Sequence, residues 1–212
     1  MKKIFYILLM TLNIACSNQN NFTDKEKEFI NSADAFQAMR ILQTTDEADS
    51  LFLRQKSIDI DIEKNKAELQ LLIRRMRVTL DESSGVGLAA PQVGIGRNVF
   101  LFVRLDKPDY PVEVVINPQI VSHSDNVISF EGDGCLSIPD LWGVTDRYQS
   151  VSVKYYDENG KLIEEEITGH TRPDDFTAVI FQHEYDHLQG VLFIDRINSN
   201  MLYNTATLGS DD

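Results

Sequence analysis

The segment Gln182-His183-Glu184-Tyr185-Asp186-His187 constrains this chain more than any other. Its two histidines are four residues apart, a spacing that puts both on one face of a helix. Both imidazoles can then reach a single metal ion, with Glu184 beside them as a base. Proteins use that arrangement to turn a metal-held water into a nucleophile. The competing reading is a surface helix that happens to carry two histidines, and a third ligand decides between them.

Candidates for that ligand can be ranked from the sequence. A metzincin protease would place a third histidine after Gly190, but Phe193 occupies that position. A thermolysin-like site needs a downstream Glu, and none follows Glu184. Asp195 lies within reach in sequence, whereas His123 and His170 stand in polar surroundings that suit a surface. Cys135 lies in Glu131-Gly132-Asp133-Gly134-Cys135-Leu136-Ser137-Ile138-Pro139, where glycines allow close backbone approach and polar flanks suit a cleft. One thiol and two imidazoles leave a fourth coordination position for water or substrate. Taken alone, a cysteine such as Cys135 is more often a small buried hydrophobe than a ligand, so Asp195 stays open as the alternative.

A second segment, Gly85-Val86-Gly87-Leu88-Ala89-Ala90-Pro91-Gln92, brings small residues together with an amide. Its glycines let a ligand approach the backbone, and the Gln92 amide can donate to a developing oxyanion. It lacks the third glycine and preceding strand of a dinucleotide site, and a plain tight turn is the simpler reading. The formal charge of −13 argues against a surface that grips phosphate backbones, so direct nucleic-acid binding is not expected. A small or peptidic substrate fits better.

Periodicity supplies the frame. Apolar residues recur at helical spacing from Asp24 to Arg40 and, more strongly, from Ile62 to Leu80. Beyond Gly96 the pattern turns to strands at Val99 to Leu105, Val112 to Ile116 and Val151 to Tyr156. Asp157-Glu158-Asn159-Gly160 reads as a hairpin turn, with Lys161 to Thr168 as the return strand. A helix follows from about Asp175 to Leu188, with Asp174 or Asp175 capping its first amides. With 212 residues, 42% of them hydrophobic, the chain can bury one real core, and this order of elements predicts an α+β domain.

Taken in order, GVGLAAPQ, GCLS and QHEYDH resemble the three motifs of the peptide deformylases, over roughly Arg40 to Ile197. The resemblance implies small β-sheets packed around a central metal-binding helix. It implies one divalent ion held by Cys135, His183 and His187, with Fe(2+) as the usual ion and Zn(2+), Ni(2+) or Co(2+) as substitutes. Glu184 would be the general acid/base, and Gln92 with the Leu136 backbone amide would stabilise the oxyanion. The substrate would be an N-formylmethionyl peptide or nascent chain, which yields formate. Gly85, Val86, Gly87, Gly134 and Ile180 would bind it, with Leu88 also lining the methionine pocket. Asp133 departs from the family pattern, standing where a Glu is common and where it could pair with Arg147. Asp175 replaces a usual Gly, and the loop His170-Thr171-Arg172-Pro173 is unusual.

The N-terminus points elsewhere. Lys2 and Lys3 precede an apolar run from Ile4 to Ala15 that ends at Cys16, a pattern that looks like a lipoprotein signal. Residues 1–16 are therefore expected to be a signal segment, 17–27 a polar tether, 28–198 the catalytic domain and 199–212 a tail. Lipidation of Cys16 would anchor the protein to a membrane; without it the protein would be cytoplasmic. Two other enzymatic readings follow: an exported amidase acting on formyl peptides, and a zincin-like metalloprotease with Asp195 as ligand.

Overall fold

The computed structural model describes residues 19–204. The expected signal segment at 1–16 and the end of the tail at 205–212 lie outside the described residues. Among the described residues no helix is long and apolar enough to cross a membrane.

The described residues from Asp24 to Asn204 form four α-helices, two short 3-10 helices and eight strands. Helices α1 (Asp24–Ile30), α2 (Glu47–Leu53) and α3 (Lys66–Glu82) precede strands β1 (Gly87–Ala89), β2 (Val99–Val103) and β3 (Val112–His123). Then come β4 (Val127–Cys135), β5 (Ile138–Tyr148), β6 (Val151–Tyr156), β7 (Leu162–Ile167), α4 (Thr177–Leu188) and β8 (Ile197–Asn204). One sheet has the order β1-β2-β3-β6-β7 and the other β4-β5-β8. Every pairing between these strands is antiparallel. This is the α+β architecture expected from the sequence.

Strand β2 shows how the sequence builds the centre. Side chains alternate between the faces of a strand, and β2 reads Val-Phe-Leu-Phe-Val. Val99 and Leu101 enter the core beneath α3, beside Leu72, Ile73 and Met76. Phe100 and Phe102 enter the opposite core against α4. There Phe181 meets both rings edge to face, at centroid distances of 5.0 Å and 5.5 Å. All residues of α4 except Tyr185 are buried, so this helix forms the centre of the molecule.

The N-terminal region differs from expectation. Helix α1 ends at Ile30, and residues 31–46 run mostly as turns and extended chain although the apolar spacing continues. Asn31 and Ser32 fold their side chains back onto the carbonyls of Lys27 and Phe29, which closes the helix. Phe36, on the expected apolar stripe, is 86% exposed. Residues 22–27, read from sequence as tether, are part of the folded body. Phe22 is buried, and Thr23 with Glu26 forms a capping box on α1. Likewise residues 199–204, assigned to a tail, belong to β8, which pairs with β5.

Candidate active site

Helix α4 carries polar residues into a buried environment, and each needs a partner there. Gln182 receives the Tyr148 amide and donates to the Tyr148 and Ala178 carbonyls. Asp186 takes hydrogen bonds from Arg147 and Arg196. His183 and Asp133 are joined through Nδ1 and Oδ1 at 2.9 Å, which leaves the His183 Nε2 free to ligate. Asp133 also receives Arg147 at 2.9 Å and the Thr145 hydroxyl at 2.7 Å. The Asp133–Arg147 pairing suggested by the sequence is thus present, and Asp133 additionally fixes the imidazole. Such a carboxylate behind a ligating histidine sets both its ring orientation and its tautomer.

Cys135 is the last residue of β4, and the two-residue turn Leu136-Ser137 links it to Ile138 at the start of β5. That turn presents the thiol to α4. The Sγ lies 3.3 Å from His187 Nε2, and donor atoms of Cys135, His183 and His187 all fall within 4.8 Å of one another. Two buried polar atoms beside this cluster, Glu184 Oε2 and His187 Nδ1, have no hydrogen-bond partner among the described residues. A soft thiol, two imidazoles and a spare carboxylate fit a divalent transition-metal ion. Asp195 is not part of the cluster: its carboxylate pairs with Arg54 and receives the Leu192 amide. The zincin reading therefore loses its third ligand. His123 is exposed and stacks on Tyr148, and His170 is likewise outside the cluster.

Charges around the cluster are unequal. Burial opposes a charge on His183, but Asp133 outweighs it and holds the pKa well above the ordinary value. Burial, with positive charge on His183 and Arg147, pushes His187 well below its ordinary value. Burial also raises the Glu184 carboxyl to about 7. A carboxyl in that range can both take and return a proton near neutral pH.

The cluster opens into a cleft of about 540 Å³. The edge strand β1 ends one sheet, the edge strand β4 ends the other, and residues of both line the cleft. Gly85, Val86, Gly87, Gln92, Gly134, Cys135, Leu136, Ile180, His183 and Glu184, all singled out in the sequence, line it. Gln92 is held by the Ala89 amide, which donates to its Oε1 at 2.8 Å, so its Nε2 points at Cys135 Sγ at 3.6 Å. Leu88 departs from expectation. It is fully buried in the core beneath α3, because side chains alternate on β1 and the preceding Gly87 faces the cleft. Asp175 does receive the first amide of α4, from Thr177 at 2.9 Å. Phe130, Phe176, Val179 and Arg172 also line the cleft and were not identified from sequence, although Phe176 and Val179 lie one turn apart along the face that leads to His183.

A donor cluster on a buried helix, with a base beside it and an open side toward a peptide-sized cleft, defines a metal-dependent hydrolase. Comparison with known proteins narrows the class. A family profile described as polypeptide deformylase matches residues 38–202. Peptide deformylase 2 of Nostoc sp. is 41% identical over 162 residues, covering 73% of this chain and 84% of its own. A class I type b peptide deformylase from Acinetobacter baumannii, in a Met-Ala-Ser-bound crystal structure, has a TM-score of 0.64 and 32% identity. That match covers 76% of this chain and 98% of the other. The peptide deformylase of Synechococcus elongatus, in complex with actinonin, gives 0.64 and 33%, covering 76% and 80%. The chain belongs to the peptide deformylase family, hydrolases that remove the N-formyl group from the amino terminus of newly made polypeptides.

Proposed function

We propose that Cys135, His183 and His187 hold one divalent ion, Fe(2+) in the native protein, and that the cleft takes an N-formylmethionyl peptide. The observation that carries this reading is the convergence of three donors within 4.8 Å beside the unpaired carboxylate oxygen of Glu184. Zn(2+), Ni(2+) or Co(2+) would suit the same donors, since thiolate and imidazole select such ions over magnesium. Bound there, the ion supplies the Lewis acidity that makes water nucleophilic near neutral pH.

The protein's own groups do the rest. Glu184 takes the proton of the attacking water and returns it to the departing amine, so the products are formate and a free amino terminus. Charge that develops on the formyl oxygen is met by the Gln92 Nε2–H and the Leu136 amide. Loss of one such donor costs about 2.7–4 kcal/mol of barrier. Because Gln92 is oriented by Ala89, its donor is in place before reaction. The edges of β1 and β4 offer backbone groups to an extended peptide, in the manner of an added strand. The methionine side chain would lie along Val86, Val179 and Ile180, residues of the same cleft.

The Lys2–Lys3, apolar run and Cys16 pattern supports export with lipid anchorage at Cys16. Mass analysis of the native amino terminus tests it: an unmodified N-terminal Met1 would overturn the anchorage. For the chemistry, Glu184→Gln should retain the metal and lose formate release. A variant that still turns over at more than a tenth of the wild-type rate would remove Glu184 from its role.

A further inference from the structure

The loop His170-Thr171-Arg172-Pro173, distinctive in the sequence, reaches back to the cleft. The Arg172 guanidinium lies 5.5 Å from the ring centroid of Phe130 and 5.5 Å from that of Phe176. The two rings are themselves 5.5 Å apart. Arg172 Nε donates to the Glu131 carbonyl at 3.3 Å, and Nη2 donates to the Gly132 carbonyl. The loop thus grips the edge strand β4 at its bulge. Gly132 has φ +76° there, and a Cβ on it would stand 3.2 Å from Arg172 Nε, crowding the guanidinium. On the other side Asp175 pins the loop: its carbonyl accepts the Thr171 amide at 2.7 Å, and its carboxylate accepts the Thr177 hydroxyl at 2.6 Å.

Arg172, Phe130 and Phe176 all line the cleft, together with Val179 and Ile180. Along α4, one turn before His183 come Val179 and Ile180, and one turn before those comes Phe176. Arg172 caps the Phe176 and Phe130 rings, and its outer side is exposed. Moving it would break two charge-assisted hydrogen bonds and a double ring contact. A stacked, forked cation is therefore a stiff end wall.

We infer that Arg172 terminates the pocket for the first residue's side chain and sets the length that the pocket accepts. The inference rests on the proposed turnover of formyl-methionyl peptides. One extra methylene at the end of an apolar pocket is discriminated by roughly 10–200-fold. The test compares kcat/KM for formyl-Met-Ala-Ser and for formyl-ethionyl-Ala-Ser, whose thioether is one methylene longer. Wild type should favour the methionyl peptide by at least about tenfold. In Arg172→Ala that ratio should fall about tenfold, chiefly through faster use of the ethionyl peptide. Arg172→Lys keeps the stem but cannot fork to both carbonyls, and should fall between; if the alanine variant does not fold, this variant decides. A ratio within twofold of wild type, or equal slowing of both substrates, would overturn the inference and leave Arg172 as a strap on β4. Wild type that releases formate from neither peptide would instead overturn the deformylase reading beneath it.

Discussion

Replacing Gly87 by Ala tests the geometry of the base without touching a ligand. A Cβ at position 87 would stand 2.2 Å from Glu184 Oε1, 2.7 Å from its Cδ and 2.8 Å from its Cγ. Ordinary van der Waals contact starts near 3.4 Å, so the carboxylate must withdraw by more than about 1 Å. Its retreat is limited, because Glu184 is only 4% exposed and sits on a helix buried on nearly every side. A displacement of about 1 Å from reacting geometry costs on the order of 100-fold in rate. Gly87→Ala should therefore lose about 100-fold in kcat, with metal content unchanged. Combining it with Glu184→Gln should add little, since both changes remove the same function. Formate release from formyl-Met-Ala-Ser, read with metal analysis, provides the assay. Turnover within threefold of wild type would refute the placement of Glu184, and additive losses would show that Gly87 acts independently.

Other outcomes follow from the same structure. Cys135→Ala should abolish stoichiometric metal binding while Asp195→Ala retains it, as read by elemental analysis after dialysis. Asp133→Asn keeps an acceptor for His183 but leaves Arg147 with Asp186 alone, and should lower metal affinity by about 10–100-fold. Its unfolding free energy should drop by about 3 kcal/mol, since one partner of a buried pair is lost. At the other end of the molecule, Arg97 ties Glu26 to the carbonyls of Gln19 and Asn21. Burial works to raise the Glu26 pKa, but the Arg97 hydrogen bond and charge and the Thr23 contacts prevail and hold it below 4.5. Its stabilisation is therefore present above the unfolded value and is lost as pH falls through the folded one. In urea unfolding, wild type should exceed Glu26→Gln by about 1.5–3 kcal/mol near neutrality. That advantage should shrink below pH of about 4.5, and a gap that widens on acidification would contradict the assignment.

How far the sequence could be read depended on how strongly each segment's burial was patterned. Helix α3 and strands β2, β6 and β7 carry clean periodicity, and the structure places them close to the expected limits. Strands β4 and β5 escaped notice because their outward positions and glycines, such as Val127 at 56% exposure and Gly132 and Gly134, dilute the alternation. Apolar spacing persists past Ile30 and predicts a longer α1, while side-chain contacts to the backbone at Asn31 and Ser32 end the helix there. The spacing of His183 and His187 was legible from the helix period alone, whereas Cys135 stood out from Asp195 only through the resemblance of its segment, and its approach to the two imidazoles appears only in the fold. The supports of these donors were less legible. The sequence offered Asp133 as a partner for Arg147, but its grip on His183 depends on β4 and α4 meeting in space. Leu88 illustrates the limit: the residue directly after the cleft-lining Gly87 points into the core beneath α3, and only the placement of β1 reveals which face is which.

Hydrolysis of a formyl amide with a metal held by Cys135, His183 and His187, as proposed, can be measured directly. Anaerobic protein loaded with Fe(2+) or Ni(2+), given formyl-Met-Ala-Ser, should release one formate for each new amino terminus. That release should stop on chelation and return when the ion is restored. Loaded protein with one ion per chain and no formate release would contradict the account.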